Sequence, residues 1–230
     1  MAIKLGQNEI TFPDGKTQSV RFDSTEESRG ELIRIDSFPS SDLHNNSVSG
    51  TYTWTKPTGC KTIRVICVGG GGGACGHGES GGAGGFAEKW INVESITSVS
   101  VTVGGRGGGS GYHSGSGDGG TSSFGSYVSA AGGYGANRNW SHSGGHGGTG
   151  HGGDINLYGG GGSGHDNRGG KGGMSYFGGS KFPGWGNNSY SHTGEDHYAA
   201  RGAGGSSCHS THSSRGSHGA AGAVIVYCYK

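Results

Sequence analysis

The sequence predicts a mostly irregular and β protein, in which short β-strands clamp a sandwich of polyglycine II helices and no substantial α-helix forms. Three observations lead there. Glycine makes up 57 of the 230 residues, and each glycine inside an α-helix costs about 1 kcal/mol relative to alanine. Between Ser129 and Ala223 the only Leu, Ile, Val or Met residues are Ile155, Leu157 and Met174, so no helical apolar stripe can be drawn there. Finally, alternating aliphatic runs open into glycine or close out of it, as in "RVICVGGGGGACG" (64–76) and "GAAGAVIVYCYK" (219–230).

The elements follow in order. "NEITFPDGKTQSVRF" (8–22) alternates around Pro13-Asp14-Gly15 and reads as two short strands joined by a turn. "GELIRIDSF" (30–38) is a further strand, and "PSSDLHNNSVSG" (39–50) a polar hinge. "TYTWTKPTGCKTIRVICV" (51–68) gives a strand, a Pro57–Gly59 turn and a second strand, with Ile63, Val65 and Cys67 on one face and Arg64, Ile66 and Val68 on the other. "GFAEKWINV" (85–93) and "TSVSVTVGG" (97–105) are strands that emerge from or enter glycine. The last strand is Ala223–Tyr229. This divides the chain into a β-rich segment of residues 1–50 and a glycine-rich domain of residues 51–230.

Within the glycine-rich part, glycines recur at every third position in short runs, for example Gly69/Gly72, Gly78/Gly81/Gly84, Gly144/Gly147/Gly150/Gly153 and Gly216/Gly219/Gly222. Three residues complete one turn of a polyproline II-type helix, so each run lays its glycines along one edge. That helix makes no internal hydrogen bonds, and its buried N–H and C=O groups must find partners in neighbouring helices. Only 4 prolines are present, far below the ~15–20% that collagen needs.

Composition narrows the function. Leu, Ile, Val and Phe form roughly a seventh of the chain, below the ~20% where disorder becomes a serious reading. Disorder also calls for high net charge, whereas the formal balance is +1, with 10 Tyr, 7 Phe and 4 Trp present. A balance so near zero predicts no nucleic-acid partner. No apolar stretch approaches the ~20 residues of a membrane-spanning helix, and "MAIKLGQNEITF" lacks a signal-peptide core, so synthesis in a cytosol is expected. Cys60, Cys67, Cys75, Cys208 and Cys228 form no CxxC pair and read as buried free thiols.

"SGTYTWTKPTGCKTIRVICVGGGGG" (49–73), "GGAGGFAEKWINV" (81–93), "SVSVTVGGRGGGSG" (98–111), "GGTSSFGSYVSAAGG" (119–133) and "GAAGAVIVYCYK" (219–230) occur in that order. Together they resemble the glycine-rich domain at the ends of bacteriophage tail fibres. "ITFPDGKTQSVRF" (10–22) is similar to a segment of phage tail-fibre and baseplate-associated proteins. The resemblance implies a virion receptor-binding adhesin, made in the host cytoplasm. Its residues 1–50 would attach to other tail-fibre or baseplate proteins, with a homotrimer as one assembly state. Its partner would be a bacterial cell-surface receptor: an outer-membrane protein, a surface glycan or an appendage. A purely structural tip or cap is the alternative.

If the glycine helices are scaffold, only their connections carry readable side chains. Aromatics interleaved with amides, acids and imidazoles suit glycans or protein loops. The candidates are Tyr112 and His113; Asn137, Arg138, Asn139 and Trp140; and Phe182, Trp185, Asn187, Asn188, Tyr190, His192, Asp196, His197 and Tyr198. No metal pattern is recognised in "HTGEDH" (192–197) or "CHSTH" (208–212), and no cofactor is expected. "GESGG" (78–82) follows no strand-to-helix turn and "GGGGGACG" (69–76) lacks a Gly-Lys-Ser/Thr, so no enzyme is expected.

Overall fold

A computed structural model describes residues 4–5, 9–11, 17–19, 30–39, 47–76, 78–111, 114–137, 143–164, 169–180, 199–207 and 216–230, the first three stretches as backbone only. No helix occurs among the described residues. The expected N-terminal hairpin is present: β2 (Glu9–Thr11) pairs antiparallel with β3 (Thr17–Ser19), and β1 (Lys4–Leu5) adds to β2.

Two antiparallel five-stranded sheets enclose the apolar core. One runs in the order β12 (Ile155–Leu157), β7 (Phe86–Asn92), β6 (Thr62–Val68), β13 (Ala223–Tyr229), β4 (Leu32–Phe38). The other runs β11 (Gly150–His151), β10 (Val128–Ala130), β9 (Ser122–Phe124), β8 (Ser98–Val103), β5 (Gly50–Thr55). The alternation in β6 sorts as the sequence requires. Ile63, Val65 and Cys67 enter the main core with Val99, Val101 and Val103 of β8, while Ile66 and Val68 join a smaller cluster with Phe86 on the opposite face.

Two pairings lie beyond the sequence pattern. β5 and β6 follow one another across the Pro57–Gly59 turn yet enter different sheets. β4, although it precedes residue 51, pairs along β13 from Val224↔Phe38 to Tyr229↔Leu32. The side chains explain the placement of both edges. Trp54 of β5 is buried and donates its Nε1–H to Asp36 of β4 at 3.1 Å. Arg34 of β4 reaches the carbonyl of Thr55 at 2.8 Å. Cys67 and Cys228 share the inner face but stand apart, Cys67 opposite Val224 and Cys228 opposite Ile63. Cys60, Cys67, Cys75 and Cys228 are all buried free thiols.

Beyond the sheets, the strands hand over to glycine. Residues 69–75 continue β6, residues 104–110 continue β8, and residues 216–222 lead into β13. Hydrogen bonding in the first of these changes partner at every residue and repeats every third. Gly69 and Gly72 donate to Gly85 and Gly82; Gly70 and Gly73 to Gly120 and Gly117; Gly71 and Ala74 to Ala220 and Ser217. Its carbonyls accept from three further segments, through Gly107 to Gly71, Gly133 to Gly70 and Gly205 to Gly72. This is the lateral pairing of a three-residue polyglycine II helix with six neighbours.

The same tracing, applied to all described segments, gives a three-layer slab. Segments 104–110, 69–75, 79–85 and 159–163 form the middle layer. Segments 115–120, 131–137 and 143–149 lie on one side, and 216–222, 202–207 and 170–174 on the other. Residues 69–75 and 79–85 are surrounded on all sides and wholly buried. The segments run five to seven residues, shorter than the longest runs in the sequence.

Glycine is required by contact, since an added Cβ at Gly71 or Gly72 would overlap the carbonyl of Ala203 or Tyr134. Where the chain reverses between the first two segments, Gly78 adopts φ 114, a conformation that side chains rarely allow. Cys75 closes that turn, its Sγ donating to Glu79 Oε2 at 2.7 Å.

Candidate binding surface

The slab has a near end joined to the sheets and a far end where alternate segments turn back. At the far end Cys75 bonds Glu79, Ser110 bonds Ala74, Ser116 bonds Ala136 and Ser207 bonds Gly170. These bonds bring the described ends of several connections to one level. A buried acid, Glu79 at 2% exposure, and the buried hydroxyls of Ser80 and Ser207 stiffen this end from within. Ser80 Oγ accepts from the Ser207 N–H, and Ser207 Oγ from the Gly170 N–H.

Of the residues that the sequence singles out, Asn137 is described, and it is exposed at the end of segment 131–137. Tyr112, His113, Arg138, Asn139, Trp140, Phe182, Trp185, Asn187, Asn188, Tyr190, His192, Asp196, His197 and Tyr198 lie outside the described residues. The residues that flank 181–198 are described. Ser180 donates its hydroxyl to the Gly172 carbonyl at 3.3 Å and accepts from Ser206 at 2.9 Å. Ala200 donates to the Gly179 carbonyl at 3.2 Å. The described residues on either side of 181–198 therefore sit at the rim between segments 170–174 and 202–207.

Asn137 belongs to a constellation that sequence reasoning missed. In a three-residue helix on the surface, every third side chain points to solvent. Along the outer layer the exposed positions that carry side chains are Asp118, then Tyr134 and Asn137, then Ser143 and His146. Hydrogen bonds fix their alignment. Tyr134 donates its N–H to the His146 carbonyl at 2.9 Å, and the next N–H, from Gly135, goes to Asp118 Oδ1 at 2.7 Å. Tyr134 thus stands between Asp118 and His146, with Asn137 and Ser143 one turn further out. Together with Gly115, Ser116, Gly135, Ala136, Gly144 and Gly145 they line a groove of about 470 Å³. Among the described residues its lining includes the carboxylate of Asp118 and the imidazole of His146. The Tyr134/Asn137 spacing was the available signal; the partners on the adjacent segments had none.

Aromatics elsewhere divide. Tyr176 stacks on Phe86 with ring centroids 4.0 Å apart, covering the outer face of the sheet where β7 emerges from the slab. Tyr158 is 81% exposed and caps nothing. On the outer face of the β6 sheet, Arg64 forms a bidentate pair with Glu88 at 2.7 and 2.8 Å. Its guanidinium also lies 5.5 Å from the Tyr227 ring centre. Hydrogen bonding to Glu88 raises the Arg64 pKa above its usual value, against a smaller opposing effect of burial. Among the described residues no group of three or more His, Cys, Asp or Glu side chains is placed to hold a metal ion.

A family profile described as a glycine-rich domain matches residues 46–229. No curated protein matches the chain.

Proposed function

The chain belongs to the glycine-rich domain family, and on that premise we propose that it is a bacteriophage tail-fibre or baseplate-tip receptor-binding protein. The observation that carries this reading is the slab itself. Its two innermost segments bond to six neighbours each, and the ends of its connections are held at common levels. Such a support loses little freedom on binding, because the backbone that presents each connection is already fixed by lateral hydrogen bonds. Side chains are nearly absent from the interior and concentrated in the connections, where recognition would occur.

The mechanism is binding without chemistry. The connections contact a bacterial surface receptor, the N-terminal residues join the protein to the virion, and several copies per particle raise avidity above single-site affinity. The test is adsorption. Replacing residues 181–198 by a short Gly-Ser linker is expected to lower virion adsorption to susceptible bacteria by about ten-fold or more, in step with weaker cell binding by the purified chain. Unchanged adsorption, together with no binding of the full-length purified chain to any strain of a susceptible panel, would leave a structural cap as the reading.

A further inference from the structure

We propose that the groove across the outer layer of the slab, centred on Tyr134, is a saccharide-binding site. It lies toward the far end of the slab, where Ser116 and Ala136 meet, and across the middle layer from Ser180 and Ala200. Three features select the ligand class. Tyr134 is a large aromatic, 56% exposed, on a backbone locked by bonds to two neighbouring segments. Its ring offers a rigid apolar face bordered by a hydroxyl. A pyranose presents the matching surface, an apolar C–H face edged with hydroxyls.

The groove's edges supply directional polar groups. Asp118 is an exposed carboxylate whose Oδ1 accepts from the Gly135 N–H; a carboxylate has further lone pairs for sugar hydroxyls. Asn137, Ser143 and His146 give donors and acceptors on the other side. The polar walls are a poor match for a greasy ligand.

The glycines set the shape. Gly135, Gly144 and Gly145 let the segments close together along the groove, because an added Cβ at each would overlap a carbonyl of a neighbouring segment, and they line it with backbone alone. The volume of about 470 Å³ falls within the ~300–1,000 Å³ of ordinary small-ligand sites. It suits one or two sugar rings. That the sugar belongs to a bacterial surface rests on the receptor-binding proposal; that the groove takes a sugar does not.

The test uses the full chain with glucose, galactose, N-acetylglucosamine and fragments of bacterial surface polysaccharide as probes, read by saturation-transfer NMR. Wild type is expected to bind at least one probe below about 10 mM, with Tyr134→Ala and Asp118→Asn weakening it about ten-fold or more. Tyr158→Ala, on another rim, should bind as wild type does. No probe bound by wild type, or binding unchanged in Tyr134→Ala, overturns the proposal, as does a short peptide binding at the groove where no sugar does. Should Tyr134→Ala fail to fold, chemical-shift changes at the Tyr134 ring of wild type on adding sugar decide the question, their absence counting against the groove. The two proposals fail separately: saccharide binding without cell binding sinks the receptor reading alone, and adsorption lost with residues 181–198 but no sugar bound sinks the groove alone.

Discussion

A methyl group placed on Gly72 would overlap the carbonyl of Tyr134, a residue that is itself 56% exposed on the outer layer. The innermost segment and the groove are therefore one rigid unit, separated by a single peptide plane. What Gly72 omits allows Tyr134 to be held in place.

The first prediction follows from that contact. Gly72→Ala should lower the unfolding free energy by about 3 kcal/mol or more, combining overpacking with broken lateral hydrogen bonds. Gly108→Ala is the control, since its added Cβ meets only His218 Nδ1 at 3.9 Å. Losing glycine's unfolded-state freedom there should leave stability unchanged or raise it by about 0.5 kcal/mol. Denaturant melts of both variants distinguish a close-packed slab from a loose one, which would treat the two alike.

The second concerns the ion pair on the outer sheet face. Arg64 and Glu88 keep side-chain exposures of 31% and 11%, so the bidentate contact is only partly screened. A double-mutant cycle with Arg64→Met and Glu88→Gln should give a coupling energy of about 1–2 kcal/mol. Lys230 and Glu31, at 43% and 49% exposure, should couple by less than about 0.5 kcal/mol. Equal couplings would mean that burial does not govern these pairs.

The third is a pH dependence. Burial pushes the Cys67 thiol from about 9 up to about 12, and Cys228 is raised by burial beside Cys60 and Asp36. Below pH 9 each thiol is protonated in both folded and unfolded chains, and stability is full. Between about pH 9 and 12 the unfolded chain loses protons that the folded chain retains, so stability falls as pH rises. Urea midpoints measured from pH 8 to 11 should decline, less steeply in Cys67→Ala. Thiol reagents at pH 8 should leave Cys67 and Cys228 unmodified until the protein unfolds. Rapid labelling of either thiol in the native state would contradict their burial.

How much of this was legible follows from which forces act locally. β6, β7, β8 and β13 were readable because each alternates apolar residues at the two-residue period of a half-buried strand. The glycine slab was readable from its three-residue spacing. The groove was half readable. Tyr134 and Asn137 share one segment and one face, a relation written in their spacing. Asp118 and His146 come from separate segments, and nothing in their own neighbourhoods points toward Tyr134.

The sequence by itself determined where strands stop and glycine begins, and that the glycine segments must pair laterally, since a buried backbone without internal bonds has no alternative. Tertiary structure decided who pairs with whom. It sent β5 and β6 to different sheets and brought β4 onto β13. It also placed residues 69–75 and 79–85 at the centre of the slab. The physical reason is that side chains carry partner identity. In a strand, Trp54 and Asp36 recognise each other; in a glycine helix, every bare edge presents the same N–H and C=O groups. Only the assembled slab, closed by its sheets, singles out one arrangement and so sets Asp118, Tyr134 and His146 in a row.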